Sequence, residues 1–160
     1  MKSIFFISLL LISTNSFSMS IKCKFEEVYA DKSTQSGFIL LKGDLLRYQY
    51  DDKQLFTIIH NNNDSFVIRN DNTTIIQKLD NEDKIIQEIM KLSKEYPNTK
   101  TNYKSNDYSI KLEKSLISKF YKRIAIIGDK LNLSIYFNNC ETHDTPIHYF
   151  NYNPLSEYIF

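Results

Sequence analysis

Short apolar segments separated by polar turns constrain the fold of this chain more than any other feature. They recur at roughly ten-residue spacing in the first half of the chain. The first, Ile21, Cys23 and Phe25, shows the two-residue period of a half-buried strand. Asp, Asn and Gly mark the turns, and no parallel strand–helix–strand unit is visible. The pattern predicts an antiparallel meander, with further strands at 37–41, 45–50, 55–59, 66–68 and 73–79.

One amphipathic helix interrupts the strands at 81–94. Ile85, Ile89 and Leu92 form its apolar stripe, Asp80 or Asn81 caps it, and Pro97 stops it. After a loop at 98–106, strands are predicted at 108–112, 123–127, 131–137 and 147–152, whereas 115–121 is ambiguous between helix and strand. The sequence therefore predicts a mainly antiparallel β domain of the α+β class. Its sheet of about eight strands tends to curl, and the helix covers the apolar concave face as a lid or plug.

Residues 1–18 have the order of a cleavable signal peptide. A lysine precedes an apolar run at 4–12, and small polar residues precede a cut at Ser18-Met19. A cut after Ser20 is the close alternative. An uncleaved anchor is disfavoured, because the run is shorter than the roughly 20 residues that span a bilayer. We therefore expect an exported, soluble, monomeric protein with a single domain at 19–160.

Two cysteines, Cys23 and Cys140, lie far apart in a chain that is expected to leave the reducing cytosol. Lys22, which precedes Cys23, does not fit the small-residue motif of a lipid-modified cysteine. A disulfide would close a long loop and, in the chain-entropy model, contribute on the order of 4 kcal/mol. Two separate buried thiols are the alternative, because the sequence does not show the distance between the two Cα atoms.

Charge and motif content argue against nucleic-acid binding and against catalysis. A formal net charge of +1 leaves no electrostatic footprint for a nucleic acid. His143, Asp144 and His148 could be drawn as a metal site, but their spacing matches no metal motif. We therefore predict no enzyme, no metal and no cofactor. A curved apolar sheet favours binding, most economically of a lipid chain held by the area it removes from water.

The segment from Ser36 to Tyr50 resembles the early hairpin of the outer-membrane lipoprotein carrier (LolA) family. That family has there a glycine, a short apolar strand, a basic-Pro turn and an aromatic-basic strand. The turn is Lys42-Gly43 here and one residue shorter. Phe150, Tyr152 and Pro154 resemble its closing aromatic-x-aromatic-x-Pro signature. The resemblance spans most of the chain after residue 18 and is carried by the order of the motifs. The family's leading helix has no counterpart here.

The resemblance implies a strongly curved, unclosed β-barrel with a helical lid over an apolar cavity. It also implies a periplasmic carrier of lipoproteins that shields their acyl chains between an inner-membrane releasing transporter and an outer-membrane receptor. Lys42 and Arg47 are the candidates for the family's lid-fastening arginine. The residues expected to line the lipid-binding cavity are Phe38, Leu40, Leu46, Tyr48, Phe56, Ile58, Ile85, Ile89, Leu133, Ile135 and Phe137.

Two other hypotheses remain open. A secreted structural or interaction domain would have its sheet packed shut by the helix and no ligand cavity. A small periplasmic enzyme would use His143, Asp144 and His148. A slip of one residue in any strand would exchange its two faces and with them the set of cavity residues.

Overall fold

The computed structural model describes residues 20–61, 64–79, 84–105 and 107–151. The expected signal peptide, the helix cap at Asp80 or Asn81, and Tyr152 and Pro154 lie outside these residues. No helix in the described part is long and apolar enough to cross a membrane. The elements are β1 Ser20–Tyr29, β2 Thr34–Lys42, β3 Leu45–Tyr50, β4 Phe56–Asn61, β5 Asp64–Arg69, β6 Ile76–Leu79, α1 Lys84–Glu95, β7 Asn102–Ser105, β8 Tyr108–Lys114, β9 Tyr121–Ile127, β10 Asn132–His143 and a 3-10 helix Ile147–Phe150.

A single antiparallel sheet contains all ten described strands, in the order β6-β5-β4-β3-β2-β1-β10-β9-β8-β7. Strands β1 to β6 form the predicted meander, so the antiparallel, mainly β architecture is confirmed. The chain then passes through α1 to the opposite edge, and β7 to β10 return until β10 pairs with β1, with Phe25 opposite Phe137. The sheet is not closed, since β6 and β7 are its two edges.

The sheet curves around α1. Ile85 of α1 borders a space that Ile58 of β4 also lines, and it borders another that Ile110 of β8 lines. Strands β4 and β8 are six places apart in the sheet order. In a flat sheet they would be about 29 Å apart, given a strand spacing of about 4.8 Å. Only a curved sheet brings both within reach of one isoleucine.

The main hydrophobic core fills the space between α1 and the concave face. The helix contributes Ile86, Ile89 and Leu92, each at most 3% exposed. Ile89 and Leu92 belong to the predicted apolar stripe, whereas Ile85, its third member, is only partly buried and Ile86 beside it is buried instead. A second, smaller cluster on the outer face of β2 contains Phe38, Leu40 and Phe150. The 3-10 helix, which carries Phe150, therefore covers part of the convex side.

A disulfide joins Cys23 of β1 to Cys140 of β10. These two strands lie inside the sheet, where the six strands β1 to β6 meet the four strands β7 to β10. The pairing of β1 with β10 shifts register between Lys22 and Lys24, and Asn139 has a φ of 50°. This bulge gives the bridged position its irregular geometry.

Two secondary-structure predictions from the sequence are wrong. A strand was expected at 147–152, but the structure has the 3-10 helix Ile147–Phe150 there. This segment packs against β3 and β4 instead of joining the sheet. The loop expected at 98–106 contains β7, a polar strand of four residues at the sheet edge. The ambiguous segment 115–121 is an irregular loop that leads into β9 at Tyr121.

Candidate functional site

An apolar cavity of about 170 Å³ lies between α1 and the concave face of the sheet. Its lining residues come from the first half of α1, from β1, β3 and β4, and from the start of β10. Partly exposed lining residues at its rim are Tyr29, Phe56, Ile85 and Leu131. The complete lining is Glu27, Tyr29, Tyr48, Tyr50, Phe56, Ile58, Ile85, Ile86, Ile89, Leu131 and Leu133.

An aromatic cluster forms one wall of this cavity. The rings of Phe25 and Tyr48 stack with centroids 4.0 Å apart, and Tyr50 meets both rings edge-on. Phe56 in turn meets Tyr50 edge-on at 5.1 Å. Gly37 makes the stacking possible, because a Cβ at that position would lie 2.6 Å from the Phe25 ring. The cluster is thus fixed by packing before any ligand is present.

Glu27 lies at the base of the aromatic cluster and is only 3% exposed. Tyr48 donates a hydrogen bond of 2.7 Å to its Oε1. Tyr50 and Tyr29 donate bonds of 3.0 and 2.5 Å to its Oε2. Among the described residues no lysine, arginine or histidine forms an ion pair with Glu27. A buried carboxylate is thus held by three neutral phenols.

The three tyrosines remain protonated in this setting. Burial raises the pKa of Tyr48 well above 10.0, and the nearby charge of Glu27 raises it further. Burial followed by the same carboxylate raises the pKa of Tyr50. Burial and the hydrogen bond to Glu27 do the same for Tyr29. Each hydroxyl therefore acts as a donor to the carboxylate.

Polar contacts fasten α1 along the side facing β7. Glu88, on the buried face of the helix, accepts hydrogen bonds from Tyr103 and Ser105 and pairs with Lys91 at 3.4 Å. Burial by itself would raise the pKa of Glu88, but the bonds from Ser105 and Tyr103 and the charge of Lys91 outweigh it and lower the pKa. The fastening carboxylate is therefore ionised at neutral pH.

The C-terminal end of α1 has two further attachments. Tyr121 donates a hydrogen bond of 3.1 Å to the backbone oxygen of Leu92. Lys94 forms an ion pair with Asp44 in the turn between β2 and β3. The first turn of the helix contributes Ile85 and Ile86 to the cavity wall, and its Lys84 forms an exposed ion pair of 3.9 Å with Asp107. The cavity thus lies beneath the beginning of α1, and these attachments hold its end.

The structure brings most of the predicted cavity residues together. Those that line the cavity are Tyr48, Phe56, Ile58, Ile85, Ile89 and Leu133. Three more, Leu46, Ile135 and Phe137, belong to the same core between sheet and helix without bordering the cavity.

Phe38 and Leu40 are corrections to the predicted set. Both side chains lie on the outer face of β2, packed with Phe150 of the 3-10 helix. Ile39 and Leu41 point into the main core instead. Since β2 is apolar on both faces, its alternation does not indicate which residues face inward.

The prediction that Lys42 and Arg47 fasten the lid is also wrong. Arg47 is 1% exposed on the outer face and donates hydrogen bonds to the backbone oxygens of Tyr149 and Asn151. Burial lowers its pKa to about 10, so it stays cationic at neutral pH. Lys42 binds the Asp144 side chain at 3.1 Å and the Thr145 backbone oxygen at 2.7 Å. Both cations hold the segment after β10 against the convex side.

No group of His, Cys, Asp and Glu side chains that could hold a metal ion occurs in the part of the chain that the structure describes. His143 and Asp144 are exposed, and Asp144 pairs with Lys42. The structure therefore does not support a metal site at His143, Asp144 and His148.

Sequence reasoning missed Glu27, the residue that gives the cavity its charge. A signal was present, because Cys23, Phe25, Glu27 and Tyr29 share the inward period of β1. A carboxylate on an apolar strand face is rarely buried without partners. The three tyrosines that supply them, Tyr29, Tyr48 and Tyr50, lie on the same inward periods of β1 and β3.

No model of a known protein family matches this chain. No curated protein matches it either.

Proposed function

We propose that this protein is an exported carrier that holds the acyl chain of a lipid or lipoprotein between α1 and the curved sheet. The observation that carries the proposal is the apolar cavity of about 170 Å³ beneath the first half of the helix. Its walls are aliphatic and aromatic, and its rim contains partly exposed side chains through which a chain can enter. The order of motifs that resembles the lipoprotein carrier family supports the same role. In that role, partner proteins release the lipoprotein from the inner membrane and receive it at the outer membrane.

The cavity as it stands holds only the end of an acyl chain. An apolar cavity of about 150 Å³ accommodates a benzene molecule, whereas most small-molecule sites measure about 300 Å³ or more. A longer chain therefore requires α1 to move away from the sheet. Such movement is the expected behaviour of a lid.

Estimated free energies favour a lid in which the first turn of α1 moves away from the sheet. Exposing Ile85 and Ile86 of the first turn would cost roughly 4 kcal/mol, at about 2 kcal/mol for each side chain. An acyl chain with about twelve buried methylenes gains roughly 10 kcal/mol, at about 0.8 kcal/mol each. The ligand therefore offsets the opening of the first turn, which ends before Glu88. The contacts of Glu88, Leu92 and Lys94 keep the rest of the helix attached meanwhile.

Native mass spectrometry of the purified protein with a triacylated peptide and with a long-chain alcohol tests the proposal. We expect one bound chain at micromolar concentration. Leu131→Trp places a bulky ring at the cavity rim and should abolish binding. Leu116→Trp is the matched control, since Leu116 is fully exposed on the loop before β9 and should leave binding unchanged. Absence of any bound species at micromolar concentration would contradict the carrier function.

A second candidate function is a secreted structural or interaction domain without a ligand. The observation that favours it is the closed packing of the rest of the concave face, where Phe120, Tyr121 and Phe137 are at most 6% exposed. Under this alternative the helix is a permanent part of the core, and neither the peptide nor the alcohol binds. The same titration therefore separates the two functions.

A further inference from the structure

Glu27 is the one charged residue among the described residues that line the cavity. Glu27 is 3% exposed, and the described partners of its carboxylate are the hydroxyls of Tyr29, Tyr48 and Tyr50. A carboxylate offers about four acceptor positions, of which the three phenols use three. The phenols replace the hydrogen bonds that the buried carboxylate loses with water, but they carry no positive charge. The described lining therefore offers one carboxyl group with a remaining acceptor position and no basic side chain opposite it.

We propose that the cavity selects a chain with a positively charged end, an ammonium group on an apolar tail, and that Glu27 neutralises this group. The inference rests on the proposed carrier function and specifies its ligand class. An ammonium donor bound at Glu27 would form a charge-assisted hydrogen bond in a site largely shielded from water.

The aromatic wall supports the same ligand. Tyr48, Tyr50 and Phe56 line the cavity beside Glu27, and the faces of such rings attract cations. A carboxylate next to several rings is a recurring arrangement for ammonium recognition. The apolar tail would then extend along Ile58, Ile89 and Leu133, away from the charge.

The same arrangement of charged groups disfavours a ligand whose end group is anionic. A fatty-acid carboxylate placed in the cavity would meet the charge of Glu27, and no lysine, arginine or histidine occurs among the described lining residues to offset the repulsion. The cavity should therefore rank ligands by the charge of their end group: ammonium first, a neutral alcohol next, a carboxylate last.

Calorimetric titration with dodecylammonium, dodecanol and dodecanoate, each below its self-association concentration, tests this ranking. The wild-type protein should bind the ammonium at least about tenfold more tightly than the alcohol, the ratio expected for one charge-assisted hydrogen bond. Glu27→Gln should remove this preference. Glu26→Gln is the matched control, because Glu26 is the exposed neighbour on the other face of β1 and should keep the preference.

The outcomes separate this inference from the proposed function. Binding of the alcohol with no preference for the ammonium, or a preference that survives in Glu27→Gln, overturns the ammonium site and leaves the carrier intact. No binding of any chain overturns both. If Glu27→Gln does not fold, as judged by near-ultraviolet circular dichroism, the ranking of end groups on the wild-type protein decides the matter alone.

Two sources would present this chemistry, the free α-amine of a lipopeptide and the amine of a lipid headgroup. An S-acylated peptide with a free α-amine, compared with the same peptide after N-acetylation, tests the first source. A lipid with an amine headgroup, compared with its N-acetylated form, tests the second. The pair in which acetylation lowers the affinity by about tenfold identifies the source, and no effect in either pair contradicts the inference.

Discussion

Phe25 and Gly37 lie directly opposite each other in the β1–β2 pair, and the Phe25 ring occupies the space that a side chain at position 37 would need. A Cβ at Gly37 would also lie 2.0 Å from the backbone oxygen of Gln49 in β3. Strands β1, β2 and β3 therefore approach one another closely at Gly37, beneath the aromatic wall of the cavity.

Gly37→Ala should lower the free energy of unfolding by about 3 kcal/mol, because a backbone oxygen cannot move aside as a flexible side chain can. Urea denaturation measures the effect. Ser36→Ala is the control: Ser36 is exposed on the same strand, and its hydroxyl donates a hydrogen bond of 3.0 Å to Asp51, so a change of about 1 kcal/mol or less is expected. Equal effects at the two positions would show that the close approach at Gly37 is not a constraint.

Removing the disulfide with the double change Cys23→Ser and Cys140→Ser should lower the free energy of unfolding by about 4 to 5 kcal/mol. The reason is the large sequence separation of 117 residues, which the bridge closes in the unfolded chain. Equilibrium denaturation with and without a reductant measures the effect. The reductant should destabilise the wild-type protein and leave the double variant unchanged, and insensitivity of the wild type would argue against the bridge.

The attachment of α1 through Glu88 should weaken in acid. Because the pKa of folded Glu88 lies below its usual 4.5, the carboxylate stabilises the fold above that pH. The contribution is lost as the pH falls through the folded value. The stability difference between the wild type and Glu88→Gln, measured by denaturation over a pH series, should be largest at neutral pH and shrink below 4.5. A constant difference would exclude this linkage.

Arg47→Met should release the 3-10 helix and leave α1 in place. The change removes charged hydrogen bonds to the backbone oxygens of Tyr149 and Asn151 and should cost about 3 kcal/mol. Amide hydrogen exchange should rise at 147–150 and stay unchanged in α1. Lys94→Met provides the reverse case, because its ion pair with Asp44 joins α1 to the sheet. Faster exchange in α1 of Arg47→Met would restore the lid-fastening role that the sequence predicted.

Strand β3 shows where the sequence was sufficient to assign faces. Its apolar Leu46 and Tyr48 alternate with Arg47 and Gln49, so the inward face is readable from the pattern. Helix α1 is similar, because its single apolar stripe leaves one way to face the core.

Strand β2 shows where the sequence was not sufficient. Residues from Phe38 to Leu41 are all apolar, and pairing decides their faces: Ile39 lies opposite Tyr48 of β3. The 3-10 helix that covers Phe38 and Leu40 comes from a segment more than a hundred residues later in the chain, at 147–150. Glu27 was missed for a related reason, since its phenolic partners on β3 become neighbours only through strand pairing.

Binding of an acyl chain beneath α1 is tested most directly by photo-crosslinking with a long-chain alcohol that carries a diazirine near its tail, followed by peptide mapping. An acyl chain held beneath α1 predicts labels on peptides that contain Ile58, Ile89 or Leu133, and loss of these labels in Leu131→Trp. Labelling confined to the convex cluster at Phe38 and Phe150, or no labelling at all, would contradict the account.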